Sequence, residues 1–311
     1  RAMPRNCRKA LSRWKLAAST GAVRTGGQTL MRTIALRRLL LRHFLATDEK
    51  YVGILLPPSV ASAVTNAALS MAGRVTANLN YTASVAVLNA SLRRAGIRRV
   101  ITSRRVMEKL KLDLDAEFVY LEDMADLVTR GDILAAAIAA YAVPAPLLDR
   151  MLGLHKIRGD DELTVIFTSG STGVPKAVML TQHNIATNIQ AVEQVIHPRG
   201  VDIILGIVPF FHSLGFMVTL WGPLFLDARV VYHYTPLDAR QVGDLCRKYK
   251  ATILLATPTF LRSYLKRCEA EELQSLEIVV AGAEKMPLPL FDAFEQKFGV
   301  RPVEGYGTTE L

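Results

Sequence analysis

The chain is predicted to be an α/β protein built from predominantly parallel sheets flanked by helices. From Tyr51 to the end, short apolar runs alternate with helix-length segments, at a spacing that suits crossover connections. Half of its 311 residues are hydrophobic, enough for a sizeable core, and the length corresponds to about two ordinary domains or one large one.

The elements follow in order. Residues 51–56 are an apolar run ending at Pro57 and Pro58, which reads as a buried strand. Ser59 can cap a helix through Met71, with Gly73 just past its end. Thr82 is expected to cap a second helix that closes before Gly96, and 99–102 and 118–121 read as strands. Residues 133–148 read as a short Ala-rich helix with an extended exit at Pro144 and Pro146. The apolar run 163–167 leads into a glycine-rich loop, 176–180 reads as a return strand, and Thr181 can cap a helix to about Ile196. Further strands are expected at 203–209, 228–232, 252–256 and 276–281. Helices are expected from Pro236 to Tyr249, from Thr257 to about Cys268 and from Pro287 to about Phe298, before 301–304 ends the series.

Charge is unevenly distributed. Residues 1–47 carry eleven Lys/Arg and no acid, and the remainder carries 38 − 11 = 27 basic residues against 28 acidic ones. The net charge of +10 therefore sits in the N-terminal segment, which is expected to be a basic arm or linker ahead of a body at 48–311. Arg5, Arg8, Lys9, Arg13 and Lys15 around Trp14 suit peripheral contact with an anionic membrane. Nucleic-acid contact, a solvated linker and an organellar transit peptide are the other uses of such a composition. Cys7, Cys246 and Cys268 form no CxxC pair, which argues against a metal cluster and suits a reducing compartment. No apolar run is long enough to cross a bilayer.

Phe167–Lys176 reads FTSGSTGVPK. Thr168, Ser169, Gly170, Ser171, Thr172 and Gly173 combine unobstructed backbone N–H groups with four hydroxyls, and Lys176 adds a cation. That composition suits a polyphosphate. It departs from the Walker pattern because Val174 and Pro175 separate Gly173 from Lys176 and no hydroxyl follows the lysine. A strand rather than a helix is expected next, so a helix dipole is not the anion trap. A plain Gly/Ser hairpin turn is the alternative, but it requires neither the lysine nor the hydroxyls.

TSGSTGVPK resembles the signature of the acyl-adenylate-forming enzymes, which include acyl-CoA synthetases, peptide-synthetase adenylation domains and luciferases. PFFHSLGF at 209–216, VAGAEKMP at 280–287 and GYGTTE at 305–310 are similar to three further motifs of that family, in the same order. The resemblance covers about Lys50 to Leu311. The segment ANLNYTA at 77–83 and the GAEKMP sequence look most like the acyl-carrier-protein synthetase half of bifunctional 2-acylglycerophosphoethanolamine acyltransferases. The resemblance thus implies the large N-terminal domain of the acyl-adenylate-forming fold, with its C-terminal part lying outside this chain. On that expectation the chain alone turns over poorly.

The implied reaction is attack of a carboxylate, expected to be that of a long-chain fatty acid, on the α-phosphorus of ATP. Transfer of the acyl group to coenzyme A or to a phosphopantetheinyl acyl-carrier protein would follow. By resemblance, the loop 168–173 and Lys176 hold the β- and γ-phosphates. Tyr306 stacks on adenine, with Gly282, Ala283 and Glu284 opposite, and Gly307 and Thr308 complete the nucleotide loop. Thr309 donates to the α-phosphate, Glu310 holds Mg²⁺, and His212 sits beside the reacting carboxylate. Taken singly, His212 reads as an ordinary half-buried histidine, Tyr306 as core and Glu310 as a surface acid. Phe210, Phe211, Leu214, Phe216, Trp221, Phe260 and Leu261 suit an acyl tunnel or plain core equally well.

The implied location is cytoplasmic, at the inner face of the cell membrane, and no nucleic-acid partner is expected. An amino-acid- or aryl-acid-activating domain is an alternative, although Asp227 and Asp238 offer no convincing partner for an amino group. A non-catalytic nucleotide- or membrane-surface-binding module is an alternative of another class.

Overall fold

The computed structural model describes residues 1–168 and 175–310. Its strands, in chain order, are β1 (Trp14–Ala18), β2 (Val23–Thr25), β3 (Tyr51–Ile54), β4 (Val75–Asn78), β5 (Arg99–Thr102), β6 (Glu117–Tyr120), β7 (Glu162–Thr168), β8 (Lys176–Thr181), β9 (Ile203–Gly206), β10 (Arg229–Tyr232), β11 (Ile253–Ala256), β12 (Ile278–Ala281) and β13 (Val303–Glu304). The chain forms two compact units. One comprises Arg1–Arg13, Thr25–Leu56 and Ala61–Gln190, and the other comprises Trp14–Arg24, Pro57–Val60 and Ala191–Leu311.

The first unit is built on a six-stranded sheet, ordered β6-β5-β3-β4-β7-β8. Its pairs are parallel except for β7 with β8, which run antiparallel. Strand alternation feeds two apolar clusters, as the period of two requires. Val52, Ile54, Ile101 and Val119 pack with Leu69, Leu40 and Met124 in one cluster. Leu55, Val75, Ala77, Val100 and Val165 pack with Leu88 and Leu92 in the other. The second unit carries a seven-stranded sheet, ordered β13-β12-β11-β9-β10-β1-β2. There β1, β9, β10, β11, β12 and β13 pair in parallel. Both sheets confirm the expected α/β class.

Several boundaries differ from the sequence reading. Residues 1–47 are not a trailing arm. They form the helix Ala2–Lys9, β1, β2, the helix Gly26–Leu39 and a π-helical turn at Leu40–Phe44. Met3, Cys7, Leu16, Leu30 and Ile34 are buried there, and β1 pairs with β10. Apolar burial outweighs the charge, because the guanidinium groups find acceptors: Arg8 Nε donates to Ala140 O at 3.2 Å and Arg37 Nε to Met71 O at 2.9 Å.

Thr82 does not cap the second helix. It closes a turn on Asn80 instead, with its N–H and hydroxyl both donating to Asn80 Oδ1, at 3.0 and 2.7 Å. Ser84 caps the helix Val85–Ala95, and Gly96 ends it in the left-handed conformation at φ +62°. The strand β4 was not anticipated. Its Asn78 is buried because it exchanges reciprocal amide hydrogen bonds with Asn66, at 2.9 and 3.2 Å. The Ala-rich stretch divides into the helices Arg130–Tyr141 and Ala145–Met151, with Pro144 at the N-cap of the second. The helix expected at Pro236 begins instead at Ala239, capped by Asp238.

Candidate functional site

In the first unit, β7 and β8 place two predicted residues together. Thr168 and Lys176 are directly opposed in the antiparallel register, at the end of the hairpin next to its connecting loop. Lys176 is exposed, and Pro175 before it is buried. The lysine thus stands at a fixed strand end with its ammonium group accessible. A strand does follow the loop, as expected. Ser169, Gly170, Ser171, Thr172 and Gly173 lie outside the described residues.

In the second unit, the remaining predicted residues follow the carboxyl ends of parallel strands, where ligands bind in open α/β sheets. His212 follows β9, Gly282 follows β12 and Tyr306 follows β13. Neighbouring chain ends are stitched by backbone bonds: Gly282 N–H donates to Ala256 O at 3.1 Å, and Gly305 N–H to Ala281 O at 2.8 Å.

His212 sits in a turn whose N–H donates to Pro209 O at 3.2 Å and whose carbonyl accepts from Phe216 N–H at 2.9 Å. Its ring reaches the surface yet lies 4.5 Å from the Phe211 ring, centroid to centroid. That partial loss of water holds its pKa below the usual 6.5, so the imidazole is neutral at pH 7. The turn runs into a π-helical segment, Gly215–Trp221. Gly215 is required there, because a Cβ would lie 2.2 Å from Pro209 O.

The 282–284 loop is also well defined. Ala283 adopts a left-handed φ of +66°, uncommon for a residue with a side chain. Glu284 Oε2 accepts from Thr259 Oγ1 at 2.7 Å, and Glu304 Oε1 accepts from Met286 N–H at 2.9 Å. A Cβ on Gly282 would approach Leu214 to 3.6 Å, so the loop and the histidine turn are neighbours. Tyr306 is 92% exposed, which removes the core reading and leaves its ring face available for stacking. Gly307, Thr308 and Glu310 are exposed and Thr309 is half-buried, with its hydroxyl 3.4 Å from Ser213 Oγ. Ser213, Thr259 and Glu304 were missed by sequence reasoning. Each works through a partner distant in the chain, although Ser213 lies within the 209–216 motif and Glu304 adjoins the 305–310 motif.

Phe210, Phe211, Phe216, Trp221 and Leu261 are buried, whereas Leu214 and Phe260 are half-buried. Asp238 spends its carboxylate on the helix cap, accepting from Gln241 N–H at 3.3 Å. No cluster of three or more metal-binding side chains occurs among the described residues. A magnesium ion bound largely through phosphate oxygens needs only one or two carboxylates, and exposed Glu310 fits that requirement.

The family described as AMP-binding enzyme matches residues 9–311. A long-chain-fatty-acid–CoA ligase of Bacillus subtilis (strain 168) is 30% identical over 167 residues, covering 51% of this chain and 29% of the ligase. The 4-coumarate–CoA ligase 3 of Oryza sativa subsp. japonica is 29% identical over 260 residues, covering 81% of this chain and 45% of that enzyme. The chain thus spans less than half the length of these curated relatives. The inhibitor-bound N-terminal domain of FACL13 from Mycobacterium tuberculosis superposes with a TM-score of 0.81 at 21% identity, covering 99% of this chain and 75% of that one.

Proposed function

The chain belongs to the AMP-binding enzyme family, and on that premise we propose that it activates a carboxylic acid with ATP. The products are an acyl-adenylate and pyrophosphate, and the acyl group then passes to a thiol, coenzyme A or a phosphopantetheinyl acyl-carrier protein. The carrying observation is Lys176, held accessible at the end of a hairpin directly opposite Thr168.

Two anions must meet in the first step. Unit charges at about 4 Å repel by about 4 kcal/mol at an effective dielectric near 20. That corresponds to nearly three decades in rate, so fixed donors must offset it. In this reading Lys176, Thr168 and the loop 169–173 orient the β- and γ-phosphates. Tyr306 stacks on adenine against Gly282, Ala283 and Glu284, beside Gly307 and Thr308. Thr309 donates to the α-phosphate. Neutral His212 donates to, or gates entry of, the incoming carboxylate. Glu310 would hold Mg²⁺, which supplies charge neutralisation on the phosphates.

A long-chain fatty acid is the favoured substrate, on the apolar character of 210–221 and the similarity to a fatty-acid ligase. An aryl acid is the second reading, favoured by the longer match to a 4-coumarate ligase. An amino acid is disfavoured because Asp238 is committed to a helix cap. The acyl-carrier-protein acceptor, a place in phospholipid metabolism and a cytoplasmic location at the inner membrane face belong to the same proposal. They draw support from the sequence resemblance and from the basic N-terminal segment.

The test is equilibrium binding of ATP and of non-hydrolysable acyl-adenylate analogues carrying fatty, aryl and aminoacyl groups. Competition between ATP and the fatty or aryl analogue is expected. Absence of binding by every nucleotide would overturn the proposal.

A further inference from the structure

The helix Arg130–Tyr141 packs its small residues inward and leaves its large apolar ones exposed. Its buried side carries Asp132, Ala136, Ala139 and Ala140. Its large aliphatic residues point outward: Ile133 is 46% exposed, Leu134 62% and Ile138 51%. Small residues face the protein because the fit there is close. A Cβ on Gly27, in the helix Gly26–Leu39, would lie 2.5 Å from the Tyr141 ring. The next helix, Ala145–Met151, adds Leu147 at 50% and Met151 at 59%.

The folded basic segment is fastened to this helix. Arg8 donates to Ala139 O at 2.8 Å and to Ala140 O at 3.2 Å, neutralising the helix C-terminus. Arg42 and Arg38 reach Asp132 at 3.1 and 3.5 Å, and Arg5 reaches Asp149 at 3.1 Å. Within this unit, residues 1–13, 25–47 and 121–161 hold thirteen Lys/Arg against seven acids. Two of those acids, Asp132 and Asp149, are buried and paired with arginine. An exposed aliphatic row therefore lies in a region of net positive charge.

We propose that the outer face of the helix Arg130–Tyr141 is a membrane-docking surface that inserts Leu134 and Ile138 into the headgroup region of an anionic bilayer. The combination of an apolar face with surrounding basic groups is what interfacial binding requires. The contact proposed is peripheral, made by one helix face, and no described helix is long and apolar enough to span a membrane. A nucleic acid would use the cations but not the leucine and isoleucine. A second copy of the chain would bring like charge against like. The inference extends the membrane contact proposed above and is independent of the ligase chemistry.

Co-sedimentation with vesicles of phosphatidylcholine, with and without phosphatidylserine, tests it. Binding is expected only with phosphatidylserine, weakening with salt, and falling roughly tenfold or more in a Leu134→Ser/Ile138→Ser variant. Both side chains already face solvent, so the thermal midpoint of the variant reports whether the fold is kept. A single Leu134→Trp variant gives a second readout, a fluorescence blue shift on adding anionic vesicles. Vesicle binding unchanged by the double substitution, or none at all, would overturn the proposal. So would duplex-DNA binding that survives the substitution, or a dimer in sedimentation velocity that the substitution dissolves.

Discussion

The Thr309 hydroxyl lies 3.4 Å from Ser213 Oγ, so the GYGTTE motif touches the turn that carries His212, 96 residues earlier in the chain. The contact is long for a hydroxyl pair and therefore weak. A phosphate oxygen, being charged, is a stronger acceptor than a serine hydroxyl. The Thr309 hydroxyl is thus held near the histidine turn by a bond that a ligand can readily replace.

Thr309→Val should accordingly lower affinity for ATP and for an acyl-adenylate analogue by roughly 10- to 100-fold, the worth of a hydrogen bond to a charged group. Ser213→Ala should change either affinity by no more than about threefold, since Ser213 only parks the hydroxyl. Isothermal titration of both variants separates the two roles. A larger effect from Ser213 than from Thr309 would reverse the assignment.

Lys176→Met should weaken ATP far more than AMP, because the lysine is assigned to the β- and γ-phosphates. A loss of roughly 10- to 100-fold for ATP with an unchanged AMP affinity is expected. The side chain is exposed, so the melting temperature should move little. Equal loss for both nucleotides would place the lysine elsewhere.

Much of this was legible from residue types alone. The alternation of apolar runs with capped helices gave the class, because Thr257 and Gly96 act locally. The glycine-, hydroxyl- and charge-rich motifs gave the candidate site, since such residues are costly in a core without partners. Three-dimensional partners were not legible. Counting charge in 1–47 suggested a solvated arm, whereas Arg8 and Arg37 find carbonyls 131 and 34 residues away. The β4 strand hid behind Asn78, whose burial depends on Asn66. The same holds for Thr259 and Glu304, which brace a recognised loop from outside it.

Gly215→Ala should destabilise the protein and damage the histidine turn together. The added methyl would lie 2.2 Å from Pro209 O and 2.7 Å from Val208 O, both backbone atoms with no rotamer to adjust. Overpacking of this kind costs about 1–3 kcal/mol. Differential scanning calorimetry should show a lowered midpoint, and adenylate-analogue affinity should fall with it. An unaltered midpoint would mean that the turn is far softer than its packing indicates.

Stability should decline on the acid side of neutrality through His233. This ring is buried at the end of β10, with Nδ1 2.8 Å from Ser19 Oγ and Nε2 3.9 Å from Asp238 Oδ2. Burial lowers its pKa below 6.5, and the Asp238 carboxylate opposes that shift without cancelling it. The folded state therefore binds this proton less readily than the unfolded state does. The sign follows: the contribution is fully present above about pH 6.5 and is lost as the pH falls towards the folded-state pKa. His212 is shifted in the same direction by desolvation and adds to the effect. Melting temperatures of the parent and of His233→Gln should converge as the solution is acidified, because only the parent must protonate a buried ring. If both lose stability in parallel below neutrality, the acid sensitivity arises at other groups.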